Sequence, residues 1–484
     1  MRILRAALAA LAILLAPAAA PAASSASQPP RWDEQLALPA VEDLNPDPDI
    51  LEIRLEARVA EVEILPGKLT PVWSYNGGLP GPLLKLKVGD RLIVHFTNNL
   101  PEDTTIHWHG MRVPNAMDGA PNFPRPPVAP RGGRFTYDFL VRDAGTFWYH
   151  PHANSAAQVG RGLYGPIIVT DPNEQPRFAD DLVLILSDIG LDEAGQLLPS
   201  DSGGTTGDLF GREGNVLLVN GKVLPTLKVR QGQQQRWRVI NAARSRYFTL
   251  RYGRSPFLKI GGDGGLAARA EPLDTVKLVP GERADLIFTP AEPPGTRGIL
   301  RWLPTPRGFG TAAGRSTEPM MRIETVSGRA EPAAAPFGTL RRIDAIDLKD
   351  ARHREISLTI TQRDGRFEMG IDGVHHRDAR PIVARVGDTE VWTIRNDSDF
   401  SHPFHMHGFF FQLLDPARIP EWKDTVDVPS KSSIRIALRY DDRPGMWMYH
   451  CHILDHAEIG MMGHLQLLPA GGPSPEEKPH RHRG

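Results

Sequence analysis

Ten of the seventeen histidines lie in four short clusters, and the single cysteine lies inside the last cluster. No histidine occurs between His152 and His353, so two clusters lie toward each end of the chain. A fold that brings the two ends together would surround metal ions with imidazole groups. The clusters are His107-Trp108-His109, His150-Pro151-His152, His402-Pro403-Phe404-His405-Met406-His407, and His450-Cys451-His452 followed by His456 and Met461.

The H-x-H spacing predicts two kinds of metal centre. Alternate residues of a strand point to opposite faces, so both histidines of a pair face one way and the residue between them faces elsewhere. In the last cluster that residue is Cys451. A thiolate, the imidazoles of His402 and His456, and a weak axial thioether from Met461 form the ligand set of a blue-copper electron-transfer site. The other eight histidines remain for an all-imidazole centre.

These four motifs, in this order, resemble those of a three-domain multicopper oxidase of the laccase type, as found in secreted bacterial proteins. The resemblance runs over most of the chain and implies four copper ions. It implies type 1 copper on His402, Cys451, His456 and Met461, type 2 copper on His107 and His405, and a type 3 pair on His109, His150 and His452 and on His152, His407 and His450.

The same resemblance implies a route for electrons and a group for protons. Electrons would enter near His456 or His402 and pass through Cys451 to its neighbours His450 and His452, where four of them reduce dioxygen to two waters. Asp118 matches an acidic family residue that serves proton supply. A turn residue before a glycine is an equal reading of this aspartate.

At the position of a second proton-relay group the chain departs from the family pattern. Many bacterial relatives have a glutamate directly after the last type 1 histidine. This chain has Ala457 there and Glu458 one position later, and Asp455 is an alternative candidate.

Structural histidines, or a zinc site built from histidine and cysteine, are the alternative reading of each cluster. Zinc needs about four ligands in a tetrahedral cage. It gives no reason for four clusters with one cysteine between two histidines. The set of four clusters therefore favours copper.

Composition and length agree with a multidomain β protein. A chain of 484 residues suggests about three domains of ~150 residues. Short alternating apolar stretches, with 46 glycines and 45 prolines, predict an all-β fold of sandwiches. A net charge of −1 provides no general attraction for nucleic acid or an anionic membrane, and one cysteine excludes an intramolecular disulfide.

A pattern of turn, strand, glycine turn and half-buried strand occurs three times. The copies run from Asn76-Gly77 to Asn98, from Asn220-Gly221 to Asn241, and from Asp372-Gly373 to Asn396. Recurrence at a domain-sized period indicates repeated domains. With the resemblance, it implies three cupredoxin-like Greek-key β-sandwich domains in tandem.

The histidine distribution assigns tasks to these domains. Domain 1 (45–175) would supply trinuclear ligands, domain 2 (176–332) would be a spacer and cleft wall without ligands, and domain 3 (340–470) would supply type 1 and trinuclear ligands. A Pro/Ala-rich stretch at 331–337 predicts a linker, and the tail 471–484 is expected to be disordered.

The N-terminus has the pattern of a secretory signal peptide over residues 1–23. Arg2 and Arg5 precede an apolar run from Ala6 to Ala16 and then small residues. The run is shorter than the ~20 residues of a membrane span. The sequence therefore predicts a secreted or periplasmic protein without stable membrane insertion.

The electron donor is the least determined feature. Phenols and similar aromatic donors are favoured, with oxidation of Cu(I), Fe(II) or Mn(II) as the close alternative. Soft thioethers select Cu(I), but the 11 methionines are not massed in one loop. Copper-free structural relatives and two-domain nitrite reductases share the fold, but complete ligand sets and three repeats disfavour them. Dioxygen and a small donor are the expected partners, and a monomer is favoured.

Overall fold

The computed structural model describes residues 36–471 except 176–177, 179, 254, 310, 313, 332–337 and 364–365. The predicted signal peptide, most of the predicted linker, and all but the first residue of the predicted tail lie outside the described residues. Within them, strands form six sheets. No helix in this part of the chain has the length and apolar character needed to cross a membrane.

The first pair of sheets is built from eight strands. One sheet has the order β2-β1-β4-β6 and the other β3-β8-β7-β5. Strand β4 shows why the segment is extended, since its alternate residues Leu92, Val94 and Phe96 are buried in the core between the sheets. The strands are β1 (Ile50–Leu65), β2 (Lys68–Tyr75), β3 (Leu84–Lys87), β4 (Arg91–Asn98), β5 (His107–His109), β6 (Gly133–Leu140), β7 (Gly145–His150) and β8 (Gly165–Thr170).

The second pair has eleven strands in a six-stranded and a five-stranded sheet, ordered β10-β9-β12-β17-β14-β15 and β11-β19-β18-β13-β16. Strand β12 is buried along its whole length and lies in the middle of its sheet. The strands are β9 (Asp180–Ile189), β10 (Val216–Val219), β11 (Thr226–Arg230), β12 (Gln235–Asn241), β13 (Phe248–Tyr252), β14 (Phe257–Gly262), β15 (Gly265–Leu273), β16 (Val276–Leu278), β17 (Arg283–Phe288), β18 (Arg297–Leu303) and β19 (Glu318–Val326).

The third pair has ten strands in two five-stranded sheets, ordered β21-β20-β23-β27-β25 and β22-β29-β28-β24-β26. Its core includes Trp392, Phe404, Trp447 and Cys451. The strands are β20 (Arg352–Arg363), β21 (Arg366–Ile371), β22 (Ile382–Arg385), β23 (Thr389–Asn396), β24 (His402–Met406), β25 (Phe411–Leu413), β26 (Thr425–Val428), β27 (Ser432–Arg439), β28 (Gly445–Cys451) and β29 (Met462–Leu468).

The same pairings recur in the three sheet pairs. In each, the first long strand runs parallel to the strand after the glycine turn, as β1 does to β4, β9 to β12, and β20 to β23. A second parallel pair joins β3 to β8, β11 to β19, and β22 to β29. The predicted all-β fold is confirmed, and the three sequence repeats coincide with this recurring topology. The exact domain boundaries stay a prediction.

Helices are few and short among the described residues. They are α1 (Ser155–Gly160), α2 (Gly204–Phe210) and α3 (Leu454–Glu458), with single 3₁₀ turns at Asn115–Met117 and His376–Asp378. Both α1 and α2 pack against α3. The helix α3 carries His456. The two helices that pack against it, α1 after β7 and α2 after β9, therefore lie close to a predicted copper ligand.

Candidate metal centre

Neighbouring strands bring the histidine clusters of one chain end together in pairs. In the first sheet pair His107 lies opposite His150, and in the third His405 lies opposite His450. Residues directly opposite one another in an antiparallel ladder lie on the same face. Each end of the chain therefore presents one face of imidazoles.

The two faces meet in a buried cluster. In the described chain, sets of three residues have their ligand atoms within 4.8 Å of one another. Each member is buried, and all ten predicted histidines, Cys451 and Asp118 belong to at least one set. The sets are His107, His109 and His405; His109, His150 and His452; His152, His407 and His450; His402, Cys451 and His456; and His107, Asp118 and His407.

The hydrogen bonds of the imidazoles leave lone pairs aimed into this cluster. Four Nδ1 atoms lie 2.8–2.9 Å from a backbone carbonyl oxygen and donate to it. The Nε2 atoms of His107, His150 and His405 are buried and have no hydrogen-bond partner among the described residues. An unsatisfied buried acceptor costs about 1–3 kcal/mol. Metal coordination removes that cost, so the donor set fits copper. The four pairs are His107 with Asp118, His405 with Asp424, His150 with Pro151, and His450 with Cys451.

Burial favours the neutral form of several of these imidazoles. It lowers the pKa of His152 and of His456 to about 3, and the nearby His107 and Arg307, respectively, add to the effect. Burial and nearby histidines also lower the pKa of His150 and His450 far below the ordinary value. The neutral imidazole is the form that binds a metal ion. At neutral pH the cluster is therefore ready for metal without loss of protons.

The cysteine group is separate and has a different composition. The Cys451 Sγ lies 3.5 Å from His402 Nδ1 and 3.7 Å from His456 Nδ1. Met461 is fully buried, and its carbonyl oxygen accepts a hydrogen bond from the Cys451 amide. Burial raises the pKa of the thiol, so only a bound cation would hold the thiolate at neutral pH. Two imidazoles and a sulfur at these distances match a blue-copper ligand set.

Comparison with known proteins agrees with this chemistry. Two multicopper oxidase family models match residues 56–174 and 349–470, the segments with the histidine clusters. The crystal structure of a multi-copper oxidase from Pseudomonas thermotolerans is 31% identical, covers 87% of this chain and 99% of that chain, and has a TM-score of 0.75. This chain belongs to the multicopper oxidase family.

Further relatives of this oxidase differ in the activity that their names state. A multicopper oxidase from Campylobacter jejuni, described as a metallo-oxidase, is 27% identical with a TM-score of 0.80 and covers 91% of this chain and 97% of that chain. The laccase of Bacillus subtilis is 29% identical and covers 82% of this chain and 90% of its own. The predicted cupredoxin-like fold, the enzyme class with oxygen as acceptor, and the dependence on copper are confirmed.

Asp118 lies inside the oxidase cluster. Its Oδ2 is 2.8 Å from His407 Nδ1 and its Oδ1 is 3.4 Å from His107 Nδ1. Burial alone would raise the pKa of this carboxyl, but the electrostatic effect of the nearby His407 and His107 rings and their hydrogen bonds hold it well below its usual range. The turn reading also applies, because Gly119 has φ +81° and a Cβ there would overlap the Ile106 carbonyl. Asp118 is thus a carboxylate that the turn directs at two histidines.

A second buried carboxylate, Asp424, was missed by sequence reasoning. Its Oδ1 lies 3.2 Å from His109 Nε2, and the Arg283 Nη1 and Nη2 atoms donate to the two carboxylate oxygens at 2.7 and 2.5 Å. Arg283 and His109 lower the pKa of Asp424 well below its usual range against the opposing effect of burial. No spacing motif marks this residue. It fixes the ring of His109 as partners of metal ligands generally do.

The cysteine group is covered by the middle part of the chain. The His456 Nε2 donates to the carbonyl oxygen of Leu209 in α2 at 3.1 Å, and the His402 Nε2 lies 2.8 Å from Ser398 Oγ. Both imidazoles have no exposed surface. The Arg307 guanidinium donates to the carbonyl oxygen of Phe210, the next residue of α2. The middle segment is thus a direct neighbour of the candidate type 1 site and more than a spacer.

The two further relay candidates also have structural roles. Both oxygens of Asp455 accept hydrogen bonds, from the Arg212 amide and guanidinium, the Arg244 guanidinium and the Ser245 hydroxyl. This carboxylate joins α3 to the middle segment, and its role as a proton relay stays a prediction. Glu458 accepts from the amide and hydroxyl of Ser155 at 2.6 and 2.9 Å. It therefore ties α3 to the start of α1.

Proposed function

We propose that the oxidase holds four copper ions in these groups. The proposal is supported above all by buried imidazole nitrogens that have lone pairs and no hydrogen-bond partner in the part of the chain that the structure describes. The assigned ligands are His402, Cys451, His456 and Met461 for type 1 copper, His107 and His405 for type 2 copper, His109, His150 and His452 for one type 3 ion, and His152, His407 and His450 for the other.

Bound copper would supply one-electron oxidation of the donor and four-electron reduction of dioxygen to two waters. The chain contributes the connection between the centres, because Cys451 is covalently linked to both His450 and His452. All three side chains have no exposed surface, so water is excluded from this connection. A short, rigid backbone link between the groups is the sequence feature that makes the two centres cooperate.

Asp118 is proposed to handle protons for oxygen reduction. Its carboxylate accepts a hydrogen bond from His407 Nδ1 and lies within the cluster. A carboxylate within hydrogen-bond reach of the reacting region meets the geometric requirement for proton transfer. It also orients the rings of His407 and His107. Asp118 would therefore act at its oxygens and also keep two imidazoles in position.

The donor class has two candidates. Phenolic and other aromatic donors are the expectation from sequence, and the relatives include a laccase. Metal ions are the second candidate, and they are favoured because α2 covers the His456 imidazole. Its Nε2 already donates to Leu209, so an organic donor has no free imidazole edge to bind. A donor that transfers an electron across the surface of α2 needs no such contact, which suits a small metal ion.

Export and monomeric state are part of the proposal. The pattern at residues 1–23 supports a cleaved signal peptide and a secreted or periplasmic location. A single cysteine is compatible with an oxidising compartment because it leaves no pair to cross-link. We take the three sheet pairs as the three domains of the protein. Because one chain contains a complete ligand set, we propose that it works as a monomer.

Oxygen consumption by the copper-loaded protein tests this function. A phenolic donor is compared with Fe(II) and with Cu(I) at matched concentrations, and copper per chain is measured in the same samples. Uptake with any of them, at about four electrons per oxygen molecule, supports the oxidase. Faster uptake with metal ions assigns the metal-ion class, and faster uptake with the phenol assigns the laccase class. Full copper content without uptake on any of these donors contradicts both.

A further inference from the structure

One face of the third sheet pair has soft ligands that the four copper groups do not use. Met448 lies opposite His464, and His450 lies opposite Met462, on the antiparallel strands β28 and β29. Opposite residues share a face, so these four side chains lie on one side of the ladder. The other side, with Trp447, belongs to the hydrophobic core. Met448, Met462 and His464 therefore extend outward from the histidine cluster.

The first sheet pair borders this face. Asn115 donates from its side chain to the Met446 carbonyl oxygen at 2.5 Å, and the Phe123 and His464 rings are 4.4 Å apart. Met448 is 4% exposed and His464 is 9% exposed. The three soft side chains thus lie in the seam between the two segments of chain that supply the cluster. We call Met448, Met462 and His464 the seam site.

The spacing within the seam site allows all three side chains to reach one ion. Cβ atoms of directly opposite residues are about 4.5–5.5 Å apart, and residues two apart on one strand are separated by roughly 6.6 Å. Methionine has three rotatable bonds and adapts to such distances. Thioether sulfur with one imidazole is a donor set that selects Cu(I) over harder cations.

The imidazoles near the seam are neutral and available. Burial lowers the pKa of His464, and no carboxylate contributes to that shift. His376 is a second imidazole near the mouth of the seam. Its Nδ1 is buried without a partner among the described residues, and burial with the charges of neighbours including His464 lowers its pKa to about 4. The Nδ1 of His376 therefore keeps a lone pair that none of the described residues uses.

We propose that the seam site binds Cu(I) and admits copper to the buried histidine cluster at His450. Met462 lies directly opposite His450, so an ion held by Met462 is one cross-strand step from a candidate type 3 ligand. The buried cluster needs such a route because its histidines have almost no exposed surface. The loading role depends on the proposed function of His450 as a ligand, whereas binding at the seam site does not.

Binding is tested on the copper-loaded, full-length protein with Ag(I), a soft monovalent ion that is not oxidised by dioxygen. Met448→Leu with Met462→Leu removes the two thioethers at nearly constant volume. The matched control is Met320→Leu with Met321→Leu, two core methionines of β19. We expect the parent and the control to bind one more silver ion per chain than the seam variant. Equal silver binding in all three overturns the seam site.

Loading is tested on the full-length protein stripped of copper and exposed to Cu(I) without oxygen. We expect slower copper uptake in the seam variant, with the same final copper content as the parent and the control. Equal uptake rates overturn the loading role even where silver binding differs. A parent that takes up no copper at all contradicts the proposed function itself, and silver binding then tests the seam site separately.

Discussion

At the scale of single residues, one nitrogen of an imidazole makes a hydrogen bond that fixes the ring, and the other nitrogen is left to bind a metal ion. The Nδ1 atoms of His107, His150, His405 and His450 donate to backbone carbonyls, which fixes the ring and leaves the Nε2 lone pair for a metal ion. In the cysteine group the roles are reversed, and the Nδ1 atoms approach Sγ. The tautomer of each ring is thus set by its hydrogen bond.

Replacement of the single cysteine tests the type 1 group. Cys451→Ser keeps a similar side-chain volume at a fully buried position but removes the thiolate. We expect loss of the intense blue absorption together with loss of oxygen consumption, while the fold is retained. Absorption spectroscopy, oxygen uptake and circular dichroism measure these effects. A blue band or turnover that survives the change would contradict the assignment of Cys451.

Asp118→Asn tests the proton role of the buried carboxylate. The amide has nearly the same shape and can still contact His407 and His107, but it does not take up a proton. We expect oxygen consumption to fall by roughly 10²–10⁴-fold, the range of one general acid–base group, with unchanged copper content. The control Asp138→Asn alters an ion pair of a half-exposed carboxylate with Arg91 and should leave turnover unchanged. Loss of copper in D118N would instead indicate a purely structural role.

At the scale of elements, a short helix and its following loop cover the candidate type 1 group. Gly211 has φ +74° directly after α2, and a Cβ there would lie 2.7 Å from Ile453 and 2.8 Å from Ser245. Only glycine fits this close approach without strain. The next residue, Arg212, binds Asp455, which is the neighbour of His456. The cover is therefore joined directly to the helix that carries a copper ligand.

Asp455 accepts the hydrogen bonds that join this loop to α3, and its replacement is expected to lower the free energy of unfolding. Asp455→Ala removes a buried carboxylate from the partly buried Arg212 and Arg244 guanidinium groups, of which Arg212 keeps a second ion pair with Asp208. Breaking a buried ion pair by removing one partner costs about 3–5 kcal/mol. We expect the free energy of unfolding, measured by denaturant titration, to fall by about 3 kcal/mol, the lower end of that range, because both arginines keep other partners. Asp442→Ala is the matched control, because its exposed pair with Arg142 is worth about 0–1 kcal/mol.

An equal effect of these two alanine substitutions would contradict the buried joint. A blue band that broadens or shifts in D455A, with copper still bound, would further indicate that the joint holds His456 in position.

The sequence was sufficient to group the candidate ligands and insufficient to identify the residues that surround them. H-x-H pairs lie within or next to strands, where the period of two determines which side chains share a face, so His107 and His109 could be grouped from spacing alone. Asp424 and the Leu209 carbonyl approach their histidines across long separations in the chain. Backbone oxygens have no side-chain signature, and a lone aspartate has no motif. Tertiary contacts of this kind leave no local pattern.

At the scale of the whole molecule, buried charges join segments that are far apart in sequence. Arg283 of the middle sheets binds Asp424 and contacts Asp263, and Lys423 binds Asp263 and Glu282. Most of these side chains are fully buried. Because Asp424 also contacts His109, this network connects the middle segment to the cluster formed by the two ends. The position of the imidazoles thus depends on all three sheet pairs.

The same arrangement predicts acid sensitivity of the copper-free protein. An ordinary histidine has a pKa near 6.5 in the unfolded chain, whereas burial lowers that of His152 and His456 to about 3 in the fold. The unfolded state therefore binds more protons below pH 6.5, so the stability contributed by these groups is complete above that pH and is lost as pH falls toward about 3. Each such histidine lowers the free energy of unfolding by roughly 1 kcal/mol for every pH unit of acidification in this window.

Bound copper should raise the stability throughout this pH range. Copper binds the folded cluster, whose histidines are already neutral, and so stabilises the fold by mass action. We expect the denaturant midpoint of the copper-free protein to be lower than that of the loaded protein at pH 7, and the midpoint of the loaded protein to fall at least as steeply from pH 6.5 to pH 4, because copper on Cys451 also displaces the thiol proton. The midpoints follow from fluorescence during denaturant titration of both forms. Equal midpoints of the two forms at pH 7 would mean that the folded protein does not bind copper at these histidines, and a copper-free midpoint that does not fall below pH 6.5 would contradict neutral buried histidines in the fold.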